Sequence, residues 1–404
     1  MPHYVIIGAS HAGISFAEKM RQLGSDDAIT LIDRLPGMPL QRPPLSKAYL
    51  AAEDEEAFLL RRKEWFDEQN IKLRDGVEVM KIDRQAKALQ LSDSTTQPYD
   101  ILVLAQGAYA RHLPLDGMMA QGVHVLRHGD DARGLKDALN SATKAVVIGG
   151  GYIGLEAAAS LAKQNLPVTV IEAADRLLAR VASPEISAYY KSLHETHNVD
   201  VQTATAISSL RTEQDHIAAV CLKDGTEIEC DLLLVGIGVV PETELAKDAG
   251  LEVGNGILTT EDYQTNDDAI FAIGDNVLAQ GRWPIRVESI HNAQYGGHYL
   301  ASYFTGGKPP IEEAPWFWSD QYDRKLQSAG LVPAPSADVV QIVRPGKREG
   351  GLSVWSFVGD KLQAVESVND PQAYMIGKYC LEQERAVPKD EIGNSEFDLK
   401  SLRS

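Results

Sequence analysis

Two glycine-rich loops carry the strongest chemical signal in this chain of 404 residues. The first runs from Gly8 to Gly13 (GASHAG) behind the apolar run YVII, and the second from Gly149 to Gly154 (GGGYIG) behind AVVI. A strand, a tight glycine turn and a helix in that order aim backbone N–H groups and a helix N-terminus at a pyrophosphate. One such loop is weak evidence. Two loops predict two bound dinucleotides, which is what a flavin–nicotinamide electron-transfer enzyme requires.

Each residue type in the first loop has a physical task. Gly8 permits the turn, Ser10 stands where the backbone approaches the pyrophosphate, and Gly13 lets the helix pack closely on the strand. Asp33 lies 20 residues past Gly13 at the end of the next apolar run, where a carboxylate can accept hydrogen bonds from a ribose. The alternative for Asp33 is that it only caps a turn.

The second loop has all three glycines of the pattern, and Glu172 follows 18 residues after Gly154. A carboxylate there accepts a hydrogen bond from the adenosine 2′-hydroxyl of NAD and repels the 2′-phosphate of NADP. We therefore expect NADH at this loop. Arg176 and Arg180 follow closely, so the strictness of the preference for NADH over NADPH stays open.

Bulk composition excludes several classes of protein. The net charge of −18 argues against nucleic-acid binding, which needs clustered lysine and arginine. The three cysteines form no CxxC pair, no metal site is predicted, and their scarcity fits a reducing compartment. A strand already begins by Tyr4, which leaves no room for a signal peptide, and no stretch reads as a membrane span. We expect a cytoplasmic protein.

The elements around the loops form two βαβ units. The pattern predicts a strand at Tyr4–Ile7, a helix at Ile14–Leu23 and a strand at Ala28–Ile32. A second βαβ unit is predicted over residues 145–172, and a late strand at Ile270–Ile273 is assigned to the first domain. These units are the context that makes a glycine pattern a credible nucleotide site.

The pattern of apolar segments in the sequence changes from Trp316 onward. The segments Val339–Val343 and Ser353–Val358 are typical of antiparallel strands, and Asp370–Gln383 could form a helix. We therefore predict a separate C-terminal domain.

That C-terminal region also carries a locally basic stretch. Residues 324–348 contain five basic residues against one acid, Asp338. On an acidic protein this predicts a docking surface for an acidic partner near Arg344, Lys347 and Arg348. The alternative is a solvated face with no partner.

Six motifs in order along nearly the whole chain resemble the oxygenase-coupled ferredoxin reductases, the flavoprotein family of putidaredoxin reductase, rhodocoxin reductase and the reductases of aromatic-ring dioxygenases. The motifs are RPPLSK (42–47), GGGYIGLE (149–156), GIGVVP (236–241), AIGD (272–275), VESI (287–290) and PWFWSDQ (315–321). The last is much more specific than a glycine loop.

This resemblance implies an α/β fold with two Rossmann-like dinucleotide-binding domains, arranged as in glutathione reductase, and a C-terminal α+β domain. It implies an FAD domain in two segments, 1–113 and 241–315, an NAD domain at 114–240 inserted between them, and a C-terminal domain at 316–404. It also implies an FAD-dependent NAD(P)H:ferredoxin reductase of class EC 1.18.1, in which NADH passes a hydride to FAD. Single electrons then go to a [2Fe–2S] ferredoxin that feeds a P450 or Rieske-type oxygenase.

The resemblance also assigns site residues. Asp275 would contact the ribityl chain or pyrophosphate of FAD, Arg127 would lie near its phosphates, and Val79 and Ile290 would contact it through their backbones. The full set of cofactor-binding candidates is Gly8, Ser10, Ala12, Gly13, Asp33, Arg34, Arg42, Lys47, Val79, Arg127, Asp275, Ile290 and Trp316 for FAD, and Gly149, Gly151, Ile153, Gly154, Glu172 and Gly238 for NADH.

Three residues are predicted to act in the reaction itself. The family motif puts Lys47 near the flavin ring, where a cation stabilises negative charge on the reduced ring. Glu156 follows the second loop inside an apolar helix, where a carboxylate needs a partner, and we predict that it pairs with Lys47. Trp318 is predicted to be the residue on the electron's exit side, with Trp316 near the flavin. For both tryptophans the alternative is an ordinary core position.

Other functions remain open at this stage. A disulfide or peroxide reductase needs a cysteine early in the chain, whereas the first cysteine is Cys221. The sequence offers little evidence against a reductase of small molecules such as quinones or radicals. A redox flavoprotein similar to apoptosis-inducing factor, acting through partners, is a further alternative.

Overall fold

The computed structural model describes residues 1–281, 283 and 285–403. Within them the α-helices are α1 His11–Gln22, α2 Lys63–Glu68, α3 Gly129–Leu139, α4 Tyr152–Lys163, α5 Pro184–Thr196, α6 Glu244–Asp248, α7 Ile290–Thr305, α8 Pro371–Glu382 and α9 Lys389–Ile392. Short 3₁₀ helices cover Pro43–Ser46, Ala48–Ala51, Glu56–Phe58 and Leu399–Arg403.

The strands of the described residues are β1 His3–Ile7, β2 Ala28–Ile32, β3 Ile71–Arg74, β4 Val79–Asp83, β5 Ala88–Leu91, β6 Thr96–Pro98, β7 Ile101–Leu104, β8 Ala108–Ala110, β9 Val123–His124, β10 Ala145–Ile148, β11 Val168–Ile171, β12 Val199–Gln202, β13 Ile207–Glu213, β14 His216–Leu222, β15 Glu227–Glu229, β16 Leu232–Val235, β17 Val239–Pro241, β18 Val253–Gly254, β19 Gly256–Thr259, β20 Ile270–Ala272, β21 Val277–Ala279, β22 Trp316–Gln321, β23 Arg324–Gly330, β24 Val339–Pro345, β25 Leu352–Val358 and β26 Lys361–Val368.

By its internal contacts the chain divides into two compact units. One consists of Met1–Gln41, Asp54–Tyr109 and Val239–Glu312, and the other of Arg42–Glu53, Ala110–Gly238 and Glu313–Ser404. The last residue of the second unit, like that of the predicted C-terminal domain, lies outside the described residues. The domain boundaries derived from the sequence stay a prediction.

A parallel sheet with the strand order β20-β7-β1-β2-β3 forms the centre of the first unit. The strands β1, β2, β7 and β20 are buried on both faces, which explains their continuous apolar character, whereas the edge strand β3 is largely accessible. Register aligns Ile7 with Leu104, and Leu104 with Ala272. The first loop and the segment after the predicted late strand therefore leave the same edge of the sheet, and the assignment of that strand to the first domain is confirmed.

The second unit contains another parallel sheet, in the order β12-β11-β10-β16-β9. Ile148 is paired with Ile171 on one side and Val235 on the other. The carboxyl ends of these strands place the second glycine loop and Glu172 at one edge, so both βαβ units predicted from the sequence are confirmed.

The C-terminal part of the second unit is an antiparallel sheet in the order β22-β23-β26-β25-β24, with α8 packed on it. Trp355 and Ile376 belong to the core between sheet and helix. Gly377 makes the close packing possible, because a Cβ there would lie 2.5 Å from Cγ2 of Val365. The predicted fold class, two parallel α/β regions and a C-terminal domain with antiparallel strands, is confirmed.

No helix among the described residues combines the length and the apolar character that crossing a bilayer requires.

Candidate functional site

The first glycine loop is built so that only glycine fits its turn. Gly8 has φ +111°, and a Cβ on it would lie 2.3 Å from the carbonyl oxygen of Ala105. A Cβ on Gly13 would lie 2.1 Å from the carbonyl oxygen of Gly8. The chain thus turns sharply from β1 into α1, whose N-cap is Ser10. This leaves a backbone cradle at a helix N-terminus, which fits a pyrophosphate.

Asp33 holds the first loop in place through its carboxylate. Oδ2 accepts a hydrogen bond from the backbone N–H of Ala9 at 2.8 Å, and Oδ1 accepts one from Leu35 at 2.9 Å. Both are main-chain partners, so the residue does more than cap a turn, because it ties the strand end to the glycine loop. Its proposed contact with the FAD ribose stays a prediction.

The second loop repeats this geometry. Gly149 has φ +109°, and its Cβ would lie 2.4 Å from the carbonyl oxygen of Gly236. A Cβ on Gly154 would lie 2.1 Å from the Gly149 carbonyl oxygen, whereas one on Gly151 would meet nothing within 4 Å. Open space beside Gly151, the N-cap of α4, leaves room for a ligand at this helix start.

Glu172 plays in the second loop the part that Asp33 plays in the first. Its Oε2 accepts from the N–H of Gly150 at 2.7 Å, and Oε1 accepts from Ala174 at 2.7 Å. In each unit an acid at the end of the second strand binds the residue after the first glycine and the residue two positions beyond itself. Both cradles fit the pyrophosphate of a dinucleotide, and the assignment of FAD to the first and of NADH to the second stays a prediction.

The two arginines that follow Glu172 differ in their surroundings. The guanidinium of Arg176 is engaged within the protein, because it donates to the carbonyl oxygens of Ala182 and Ala179 and to the hydroxyl of Ser187. Arg180 is exposed. One of the two arginines that left the nucleotide preference open is therefore held by hydrogen bonds within the protein, and the preference for NADH stays a prediction.

The remaining predicted cofactor residues divide between the units. Arg34 makes two hydrogen bonds to the carboxylate of Glu242, at 2.6 and 3.0 Å. The Asp275 carbonyl oxygen accepts from Arg286 at 2.6 Å, and the residue follows Gly274, which has φ +87°. The first unit also contains Ser10, Ala12, Val79 and Ile290, and the second contains Arg42, Arg127, Ile153 and Gly238. Their roles stay predictions.

In the second unit Arg42 and Arg127 lie together. Nη1 of Arg42 donates to the Arg127 carbonyl oxygen at 3.2 Å. The N–H of Arg127 in turn donates to Asp131 at 2.8 Å, just before α3 begins. The RPPLSK motif and the start of α3 are thus joined through the backbone of Arg127.

The centre of the candidate site is the ion pair between Lys47 and Glu156. Nζ of Lys47 lies 2.9 Å from Oε1 of Glu156. The hydroxyls of Ser46 and Ser319 each donate to the same carboxylate at 2.6 Å. The predicted pairing of lysine and glutamate is therefore present, and the two serines are functional candidates that the sequence reasoning missed.

Burial sets the electrostatics of this carboxylate. Glu156 is 4% exposed, and burial raises its pKa above the ordinary value. Lys47 and the hydroxyls of Ser319 and Ser46 oppose that rise by stabilising the ionised form. A buried charge with three donors is a site poised to respond to a change of charge nearby.

Aromatic rings lie beside the ion pair on β22. The rings of Trp316 and Trp318 have centroids 5.6 Å apart, and Nζ of Lys47 lies 6.0 Å from the Trp318 centroid. Phe317 stacks on Tyr152 at 4.4 Å. Both tryptophans are only partly buried, so they are not ordinary core residues. Trp318 is thereby in reach of the same cation that binds Glu156.

The expected docking surface needs a correction at Arg344. This side chain is buried, with 4% exposure, and its guanidinium donates to the carbonyl oxygens of Ile392, Asn394, Ser395 and Phe397. It anchors the C-terminal segment and offers no charge to a partner. Lys347 and Arg348 are exposed, and only they remain as candidates.

Comparison with known proteins identifies the class. Residues 2–297 match the model for pyridine nucleotide-disulphide oxidoreductases, and residues 316–403 match the model described as reductase C-terminal. The chain belongs to the pyridine nucleotide-disulphide oxidoreductase family.

Similar proteins of known function define the class more closely. The chain is 40% identical to rhodocoxin reductase of Rhodococcus erythropolis, over 98% of this chain and 93% of that protein. It is 38% identical to putidaredoxin reductase of Pseudomonas putida, over 98% and 96%. The resemblance to oxygenase-coupled ferredoxin reductases is confirmed.

Solved structures agree. The ferredoxin reductase for the CYP199A2 system of Rhodopseudomonas palustris superposes with a TM-score of 0.95 at 35% identity, covering 100% of both chains. A covalent complex of putidaredoxin reductase with putidaredoxin matches with a TM-score of 0.94 at 36% identity, covering 100% of this chain and 98% of that one.

Proposed function

We propose that this chain is an NADH:ferredoxin oxidoreductase, which takes a hydride from NADH and delivers single electrons to a [2Fe–2S] ferredoxin that serves a P450 or Rieske-type oxygenase. Bound FAD supplies the step from two-electron to one-electron chemistry. The observation that carries the proposal is the ion pair between the partly buried Lys47 and the buried Glu156, which lies in the same unit as the NADH cradle.

The roles of the residues follow from their charge. Lys47 stabilises negative charge that builds up during reduction, and Glu156 holds the ammonium group in one place. Gly149, Gly154 and Glu172 bind and orient NADH, and Gly8, Gly13 and Asp33 do the same for FAD. Hydride transfer depends on alignment rather than on a protein acid or base, so we assign no nucleophile.

The cysteines favour this function over a disulfide or peroxide reductase. Burial raises the pKa of Cys230 to about 12, and it also raises the pKa of Cys380. Reactive thiols need the opposite shift. The three cysteines are free, which supports a reducing, cytoplasmic location. Cell fractionation tests that location.

The relatives support the partner. One is named for rhodocoxin and another for putidaredoxin, and the latter is solved in a covalent complex with its redox partner. We propose that Lys347 and Arg348 contribute to the docking surface for the acidic ferredoxin.

The test is NADH-driven cytochrome c reduction, with and without candidate [2Fe–2S] ferredoxins, over a range of salt. Strong stimulation by a ferredoxin, falling as salt rises, is expected. A stimulated rate that does not depend on salt would count against docking at Lys347 and Arg348. Rapid NADH oxidation by quinone but by no ferredoxin would favour a reductase of small molecules. Slow reduction by NADH and a long-lived charge-transfer complex would favour a redox protein like apoptosis-inducing factor.

A further inference from the structure

A row of buried polar side chains runs from a partly exposed turn to the carboxylate of Glu156. The Ser319 hydroxyl donates to Glu156 at 2.6 Å, and Nε2 of Gln321 donates to that hydroxyl at 3.1 Å. Oε1 of Gln321 lies 2.8 Å from Nε2 of His194, and Nδ1 of His194 lies 3.2 Å from the Tyr322 hydroxyl. Ser319, Gln321 and His194 are each at most 1% exposed.

The carboxylate decides the direction of every bond in the row. An ionised Glu156 can only accept, so the single proton of Ser319 points at it, and Ser319 must accept from the amide NH₂ of Gln321. The Gln321 carbonyl oxygen then faces His194, which must carry its proton on Nε2. Nδ1 is left to accept from Tyr322. Four donors thus point the same way, toward one negative charge.

We propose that His194 is a positioning residue, which acts through Gln321 and Ser319 to hold Glu156 ionised and in one orientation beside Lys47. This rests on the proposed function of Glu156 in the reaction with NADH. Chains of hydrogen bonds polarise one another in a medium of low dielectric constant, so a donor remote from the carboxylate still strengthens the last bond.

The surrounding charges are compatible with this role. Lys47 faces Glu156 from the RPPLSK segment, Tyr152 lies on its own helix, and Tyr190 faces it from α5. His197 is the titratable neighbour of His194. Burial lowers the pKa of His194 to about 4, so the ring is neutral near neutral pH and keeps Nδ1 as an acceptor.

The turn that begins the row is held firmly. Tyr322 has φ 55°, a left-handed conformation that is unfavourable for an aromatic residue. Its ring stacks on His197 with centroids 3.6 Å apart, and its carbonyl oxygen accepts from Lys163 at 3.2 Å. These contacts aim the hydroxyl at His194.

The test titrates Glu156 directly in the FAD-loaded protein. Infrared difference spectroscopy across pH follows the C=O stretch of the protonated carboxyl, which is assigned by its loss in Glu156→Gln. Ser319→Ala should raise the midpoint by about one to two pH units, as expected for a lost hydrogen bond to a charged group. His194→Phe should raise it by less, and Tyr322→Phe by roughly a few tenths of a pH unit.

Controls separate positioning from a structural effect. His194→Gln, which keeps a donor to Gln321, should restore most of the wild-type midpoint. Tyr189→Phe removes a hydroxyl that donates to the Gly350 carbonyl oxygen, on the same helix but outside the row, and should leave the midpoint unchanged. Tyr322→Phe, whose site is only partly buried, serves if His194→Phe fails to fold.

A midpoint equal to that of the wild type in Ser319→Ala or in His194→Phe would overturn the proposal, as would a carboxyl signal that no variant brings into range. If His194→Phe does not fold, a wild-type midpoint in Tyr322→Phe overturns it instead. The acid limb of the pH profile for hydride transfer should move with the infrared midpoint. If the wild-type protein reduces no ferredoxin, the proposed function fails, but the infrared titration still decides the role of His194.

Discussion

Nζ of Lys47 lies 2.9 Å from Oε1 of Glu156, in a setting where the lysine side chain is 18% and the glutamate side chain 5% exposed. The two residues are far apart in the chain, and the packing of α4 against the RPPLSK segment brings them together. Such a pair is costly to break, because the remaining charge would be buried without a partner.

Removal of the negative charge should slow the reaction with NADH. In Glu156→Gln the carboxylate is lost, and Lys47 keeps only a neutral acceptor. We expect the rate of flavin reduction to fall about 10- to 100-fold, corresponding to a hydrogen bond between charged groups. Stopped-flow absorbance measures this rate. The exposed acid Glu195, changed to glutamine, is the control, and a wild-type rate in Glu156→Gln would remove the residue from the mechanism.

Trp318→Phe should separate the two halves of the reaction. Phenylalanine keeps an aromatic ring beside Trp316 and Lys47 but offers a smaller π system to the outgoing electron. We expect ferredoxin reduction to slow several-fold while flavin reduction by NADH stays near the wild-type rate. Stopped-flow traces at both stages measure this. Trp65→Phe is the matched control, and equal slowing of both stages would indicate a packing role.

Glu172→Gln should weaken the discrimination against NADPH. The variant removes the charge that repels a 2′-phosphate, and we expect kcat/KM for NADPH to rise roughly tenfold. A complete switch is not expected, because the Arg176 guanidinium is bound to Ala182, Ala179 and Ser187. Steady-state kinetics with both nucleotides test this. Asp175→Asn, an exposed acid on the same loop, should change neither value; an unaltered preference in Glu172→Gln would refute the assignment.

Glu366 should make the protein less stable at alkaline pH. Burial, opposed by hydrogen bonds from Ser183, raises its pKa to about 7 from 4.5. Because the folded pKa is the higher one, the stabilisation is complete below about pH 4.5 and is lost as pH rises through 7, by roughly 3 kcal/mol at pH 8.

Glu366→Gln cannot ionise, so its Tm should exceed that of the wild type at pH 8 but not at pH 5. Calorimetry at both values measures the difference. Glu384→Gln, an exposed acid in the same domain, should give no such difference. The same Tm gap at pH 5 and pH 8 for Glu366→Gln would mean that the carboxyl does not titrate as described.

Much of the site could be predicted because it depends on residues that are close together in the chain. The glycines of both loops were recognisable, because a Cβ on Gly8, Gly13, Gly149 or Gly154 would lie within 2.4 Å of a neighbouring carbonyl oxygen. The partner of Glu156 was predictable from the cost of an unpaired charge in an apolar helix. For Asp33 the sequence offered a ribose contact or a turn cap, and its hydrogen bond from the N–H of Ala9 depended on the strand register.

The sequence by itself determined the two nucleotide loops, the acids after them and the family, because backbone geometry and short spacings depend on neighbours in the chain. Only the tertiary structure decided which polar groups are buried together. Alternation along β22 put Ser319 and Gln321 on one face, but only packing brought His194 of α5 to Gln321. Arg344 shows the same limit, since a count of charges cannot distinguish a guanidinium in solvent from one enclosed by four carbonyl oxygens.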